Sequence, residues 1–105
     1  MKLEELVKRL DAEVLNAAEP LREIEGGYCG DFLSFVMSRA PEGSAWFTVM
    51  SNVNVIAVAV LAEVGAVVLC EGVRPDPAML EKARSENITV IATKLPAFEA
   101  VLRYN

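Results

Sequence analysis

At 105 residues the chain has room for one domain and not for a second. Hydrophobic residues make up 53% and charged residues 24%, the balance of a globular chain that can bury a core rather than of a disordered one. Ten Lys and Arg against 15 Asp and Glu leave a formal charge of −5, which disfavours nucleic acid and anionic membranes as partners. The absence of histidine removes imidazole metal sites, Ser-His and Cys-His nucleophile pairs and imidazole proton shuttles.

Leu3, Leu6, Val7 and Leu10 recur at helical spacing, and Glu4 and Glu5 precede Lys8 and Arg9 by four residues, so residues 2–10 are predicted helical. This charged start is unlike a signal peptide, and the longest apolar run, residues 55–62, falls short of the roughly 20 residues a bilayer requires. A soluble cytoplasmic protein is the expectation. Residues 12–17 read as a short strand. A second strand, at an edge, is expected through Glu23, Ile24 and Glu25 and is ended by Gly26 and Gly27. Asp31 is placed to cap a helix over 32–39 that buries Phe32, Phe35 and Val36, with Pro41-Glu42-Gly43 as the closing turn.

Residues 45–50, rich in aromatic and β-branched types, read as an interior strand. Ser51 or Asn52 then caps a helix through Val64 that Gly65 stops, and 66–70 form a continuous apolar strand. Asp76 followed by Pro77 starts a helix to about Asn87, residues 88–93 make the next strand, and Pro96 opens a last helix carrying Phe98, Val101 and Leu102. The alternation predicts an α/β class chain, a small single-domain three-layer fold spanning 1–105, with a mainly parallel sheet and right-handed crossovers.

The helix that follows Asn52 is apolar nearly all round. Val53, Val60, Leu61 and Val64 group on one side, and Val55, Ala59 and Ala62 on the other. The second group is the expected outward face, a small apolar patch that would serve as the interface of a homodimer, unless the amino-terminal helix covers it within the monomer.

Ligands of open parallel sheets bind beyond the carboxyl ends of the strands. Those ends carry Ser51, Asn52 and Asn54, then Glu71, Gly72 and Arg74, then Thr93 and Lys94. Two cations, small hydroxyls and a helix start converging there could hold an anionic group, so Ser51, Asn52, Asn54, Gly72, Arg74, Thr93 and Lys94 are the candidate ligand-binding residues. The alternative is ordinary loop polarity, with Ser51 or Asn52 a plain cap. Gly26, Gly27 and Gly30 lie before a helix, but no GxxxxGK[ST] or GxGxxG occurs and Asp31 would repel phosphate, so a tight turn is the reading there. Glu71 is the one carboxylate placed for general acid or base work, and Cys29 the one thiol open to reaction; neither has an identifiable second group. Cys70 reads as a small buried hydrophobe. No catalytic residue, metal site or cofactor is assigned.

From Gly26 onward, the stretches GGYCGDFLSFVMSRA, WFTVMSNVNVIAVAVLAEVGAVVLCEG and RPDPAMLEKARSENITVIAT resemble the DRTGG domain family, a module similar to the amino-terminal domain of HPr kinase/phosphorylase. The Asp-Arg of the family's motif would fall near Asn52–Asn54 and is absent. The Thr-Gly-Gly falls at Cys70, Glu71 and Gly72, of which Gly72 alone remains. The resemblance implies a regulatory or interaction module with dimer formation and effector sensing; without a P-loop, a kinase activity is not supported. The expectation is a non-catalytic module that forms a homodimer and senses a small anionic effector such as a nucleotide. The rivals are a protein-interaction subunit with a protein partner and no ligand, and a small enzyme using Glu71 or Cys29.

Overall fold

The amphipathic start becomes α1 (Leu3–Leu10), with Leu3, Leu6 and Leu10 buried, in a computed structural model that describes residues 1–105. Five strands follow in the chain: β1 (Glu13–Asn16), β2 (Gly27–Cys29), β3 (Ala45–Thr48), β4 (Ala66–Leu69) and β5 (Val90–Ala92). They form one sheet of order β1-β5-β4-β3-β2, in which β2 to β5 run parallel and β1 pairs antiparallel with β5. Every residue of β3, β4 and β5 is buried, as parallel strands covered on both faces require.

On one face lie α2 (Leu33–Arg39), α3 (Val53–Ala62) and α4 (Pro77–Glu86), sharing a core with Trp46, Val67, Leu69 and Val90. On the other, α1 and α5 (Ala97–Tyr104) enclose Phe47, Val68, Cys70 and Ile91. This is the three-layer α/β fold the alternation implies. Local signals set the helix ends: the Asp76 carboxylate accepts the Met79 N–H at 2.8 Å with Pro77 in the first turn, and Asn87 closes α4 in the left-handed region. Asn52, not Ser51, caps α3, its Oδ1 accepting the Asn54 N–H at 2.9 Å. No helix is long and apolar enough to cross a membrane.

Three expectations are corrected. The strand expected at Glu23–Glu25 forms instead at Gly27–Cys29. Ile24 pairs with the chain start, its N–H donating to the Met1 carbonyl at 2.8 Å and its carbonyl accepting from the terminal amine at 2.8 Å. Gly27 belongs inside the strand, level with Ala45 of β3, and a Cβ on it would meet the Tyr104 ring of α5 at an ordinary contact distance of 3.4 Å.

Asp31 does not cap α2. Its carboxylate accepts the Thr48 hydroxyl at 2.6 Å and the Val49 N–H at 2.9 Å, while Phe32 takes the N-cap position without a side-chain bond. Tying that loop to the end of β3 turns Phe32 and Phe35 outward, leaving Val36 as the buried residue of α2.

The third correction reverses α3. Val55 and Ala59 are fully buried and Ala62 is partly so, packed in one core with Val36 of α2, Met79 and Ala83 of α4, and the sheet. They cannot be the outward interface, and the cover comes from α2 and α4 rather than from α1, which sits across the sheet. A helix apolar on all sides gives its periodicity no direction. Small residues at 59 and 62 suit the side that packs closest, so Val53, Val60 and Leu61 face out.

Candidate functional site

A cleft of about 460 Å³ opens beyond the carboxyl ends of β4 and β5, walled on its far side by the end of α1 and the start of β1. Two consecutive left-handed residues, Glu71 (φ 63°) and Gly72 (φ 73°), turn the chain out of β4. The turn is stitched to the loop after β5: the Glu71 N–H donates to the Leu95 carbonyl at 2.8 Å and the Gly72 N–H to the Thr93 carbonyl at 3.0 Å. The glycine retained from the family motif therefore forms part of the cleft wall.

Of the seven candidate ligand-binding residues, Gly72, Arg74, Thr93 and Lys94 line this cleft together. Thr93 does so through its backbone. Its buried hydroxyl donates to the Leu10 carbonyl at 2.7 Å and accepts the Leu95 N–H at 3.2 Å, which ties the cleft loop to α1. Ser51, Asn52 and Asn54 lie apart at the end of β3. The segment entering α4 reaches that end, the Asp76 N–H donating to the Ser51 carbonyl at 3.2 Å, and Asn52 and Asn54 are engaged in starting α3. Strand order puts β3 on the far side of β4 from β5, so one cleft between β4 and β5 does not gather all three strand ends.

Asp11, Glu13 and Arg103 complete the charged lining, and sequence reasoning did not reach them. They come from the end of α1, from the antiparallel edge strand and from the last helix, outside the parallel order that the strand-end rule reads. Arg74 Nη1 meets Glu13 Oε1 at 3.1 Å, with both side chains more than half exposed. Arg103 Nη2 lies 3.6 Å from Glu99. Lys94 is exposed and enters no ion pair. An exposed pair such as Arg74–Glu13 contributes about 0–1 kcal/mol, so the guanidinium can exchange Glu13 for another anion at little cost. The chemistry on offer is recognition of an anionic group by Lys94 and Arg74.

The candidate reactive groups have other work. Glu71 Oε2 accepts the Ala97 N–H at 3.0 Å, satisfying one of the open amides at the start of α5. Cys29 sits on β2 beside a second cleft of about 370 Å³, where Phe47, Val101, Leu102 and Tyr104 give an apolar lining. Burial first, and then the nearby Asp31 carboxylate, push its thiol up, away from the thiolate a nucleophile needs. Burial also pushes Cys70 up to about 12. Cys29 on β2 is level with Val68 across β3, and Cys70 lies two residues further on, just past β4, so the two cysteines are more than about 9.6 Å apart, beyond the roughly 7 Å limit for a disulfide within one chain. Trp46, fully buried, donates its Nε1–H to the Gly30 carbonyl at 2.9 Å and serves as packing.

No curated protein sequence matches the chain. Among solved structures, it is similar to the CBS and DRTGG domains of the regulatory region of Clostridium perfringens pyrophosphatase, a structure complexed with its activator diadenosine tetraphosphate. The TM-score is 0.83 at 22% identity, over 97% of this chain and 45% of that one, so the likeness is one of fold and this chain spans less than half of that region. The DRTGG domain model matches residues 5–105. By that match over nearly its whole length, the chain belongs to the DRTGG domain family.

Proposed function

We propose that this chain is a cytoplasmic, non-catalytic regulatory module that takes a small anionic effector in the cleft beyond β4 and β5 and acts through self-association. Nucleotides are the class to try first. The observation that carries the reading is Lys94, a cation with no ion-pair partner, set on the same cleft as Arg74, whose only charge partner is a solvent-exposed carboxylate. The cleft volume lies within the ordinary range of small-molecule sites. The fold likeness supports the class, because the similar region regulates a pyrophosphatase and is complexed with a dinucleoside polyphosphate.

Thermal unfolding against ATP, ADP, diadenosine tetraphosphate and inorganic pyrophosphate tests it. A ligand at about 100 times its dissociation constant adds about 2.7 kcal/mol, a rise of several degrees for a domain of this size. The rise is expected to vanish in Lys94→Ala and shrink in Arg74→Ala. No rise with any of the four, or a rise that both variants keep, contradicts the proposal.

A second reading, a protein-interaction subunit whose cleft stays empty, draws support from the exposed rings of Phe32 and Phe35. It expects no rise with any ligand. The enzyme reading has less behind it, since the Glu71 carboxylate holds the start of α5 and the Cys29 thiol is kept protonated.

A further inference from the structure

The outward side of α3, the neighbouring helix α2 and the end of β3 leave apolar side chains exposed on the same side of the sheet. Phe32 is 61% exposed and Leu61 is 66% exposed, and Phe35, Val49, Val53 and Val60 are each exposed by more than a third. The rings of Phe32 and Phe35 meet edge to face at 4.7 Å. The Asp31 carboxylate, by holding the Val49 N–H, brings Phe32 beside Val49, and Val53 opens α3 just beyond.

This surface is held rigid while exposed. Asp31 pins the loop to the end of β3 with two hydrogen bonds, and the Arg39 guanidinium lies 3.9 Å over the Phe35 ring. Side chains ordered in advance lose little entropy on docking. From their fractional exposures, the six residues present roughly 500 Å² of surface, backbone atoms included, of the order of the largest apolar patch a monomer leaves open. Two copies facing one another would bury about 1,000 Å², the floor for a specific interface, before any polar rim is counted.

Charge selects the occupant. Residues 53–62 carry no charged side chain, and the one cation on the patch is engaged by an aromatic ring. The patch thus gives a strongly charged partner nothing to recognise. The chain as a whole carries −5, so two copies repel over most of their surfaces and meet at least cost where the surface is neutral.

We infer that Phe32, Phe35, Val49, Val53, Val60 and Leu61 form the face through which two copies of this chain pair about a twofold axis. This names the surface for the self-association in the reading above and does not depend on the cleft.

The test is mass by light scattering and sedimentation velocity over a wide concentration range, on the wild type, Leu61→Glu, Phe32→Glu and Phe98→Glu. All three positions are exposed, so the fold is expected to survive, and circular dichroism melts check it. Phe98 is on α5, across the sheet, and serves as the control. The expected result is a wild-type dimer whose dissociation constant rises at least tenfold in Leu61→Glu and Phe32→Glu and stays unchanged in Phe98→Glu. A wild-type monomer at every concentration, a larger assembly, or a dimer unaffected by the first two variants overturns the inference. A dimer lost in Phe98→Glu overturns it too. Ligand binding without a dimer would leave the effector reading standing and remove this one; a dimer with no ligand would do the reverse.

Discussion

Gly65→Ala is the substitution whose cost the structure specifies best. A Cβ built on Gly65 lands 2.4 Å from the Gly43 carbonyl oxygen and 3.0 Å from its carbon, with the Ile24 side chain at 3.3 Å. Relief would require Gly43 to retreat, and it is held on both sides. Its N–H donates to the Glu63 carbonyl at 2.8 Å, and its own carbonyl accepts the Glu25 N–H at 2.9 Å. Gly65 is equally fixed, donating to the Ser44 carbonyl at 2.7 Å.

Because Gly65 lies outside the left-handed region, alanine could adopt its backbone conformation, and reduced unfolded-state entropy would favour the variant by about 0.4–1 kcal/mol. Overpacking opposes this at about 1–3 kcal/mol, and backbone-on-backbone contact belongs at the upper end of that range. The net expectation is a loss of about 2 kcal/mol, or roughly 8–10 °C in Tm for a chain of this length. Urea unfolding should give the same loss with an unchanged slope. A Tm within about 2 °C of the wild type would refute the close-contact argument, since the entropic gain alone predicts a small rise.

Two further outcomes follow from single residues. Glu71→Ala should lower stability by about 1 kcal/mol, as removal of a helix-start acceptor does, whereas Glu71→Gln should recover most of it because the amide oxygen accepts the same Ala97 N–H. Equal losses in the two variants would assign the effect to charge instead of to the hydrogen bond. Cys70 gives a pH dependence: the folded state holds its thiol protonated up to about 12, while the unfolded chain ionises near its ordinary value of about 8.5. Above that ordinary value the unfolded state binds fewer protons, so stability is fully present below it and falls by at most about 1.4 kcal/mol per pH unit between the two. In Cys70→Ala that component of the alkaline slope should disappear; a slope identical to the wild type would show that the thiol is not shielded.

The parts of this fold legible in the sequence are those decided by neighbours along the chain. Asp76-Pro77 marks the start of α4 because cap and first turn are adjacent, and the unbroken apolar run at 66–70 marks a strand covered on both faces. Asp31 is ambiguous in the sequence because the same carboxylate can cap the next helix or reach a strand end 17 residues away, and the chain does the second. Gly27 reads as a strand end because two adjacent glycines look like a break, whereas the partner that makes it a strand residue, Ala45, lies 18 residues on in β3.

For the site, the strand-end rule brought Gly72, Arg74, Thr93 and Lys94 to one cleft and misplaced Ser51, Asn52 and Asn54. Arg103, Asp11 and Glu13 were out of its reach because long-range packing of α1, β1 and α5 brings them in. The orientation of α3 was undecidable from periodicity. Its direction came from which neighbours, α2 and α4, packed on its small residues.

The central claim is that the cleft beyond β4 and β5 is where an anionic effector binds. The most direct measurement is amide chemical-shift mapping of the nitrogen-labelled protein, titrated with diadenosine tetraphosphate and with ATP. The account predicts shifts concentrated at Gly72, Val73, Arg74, Thr93 and Lys94, with Gly27, Tyr28 and Cys29 at the second cleft unmoved. An unchanged spectrum at saturating nucleotide, or shifts confined to Gly27–Cys29, would contradict it.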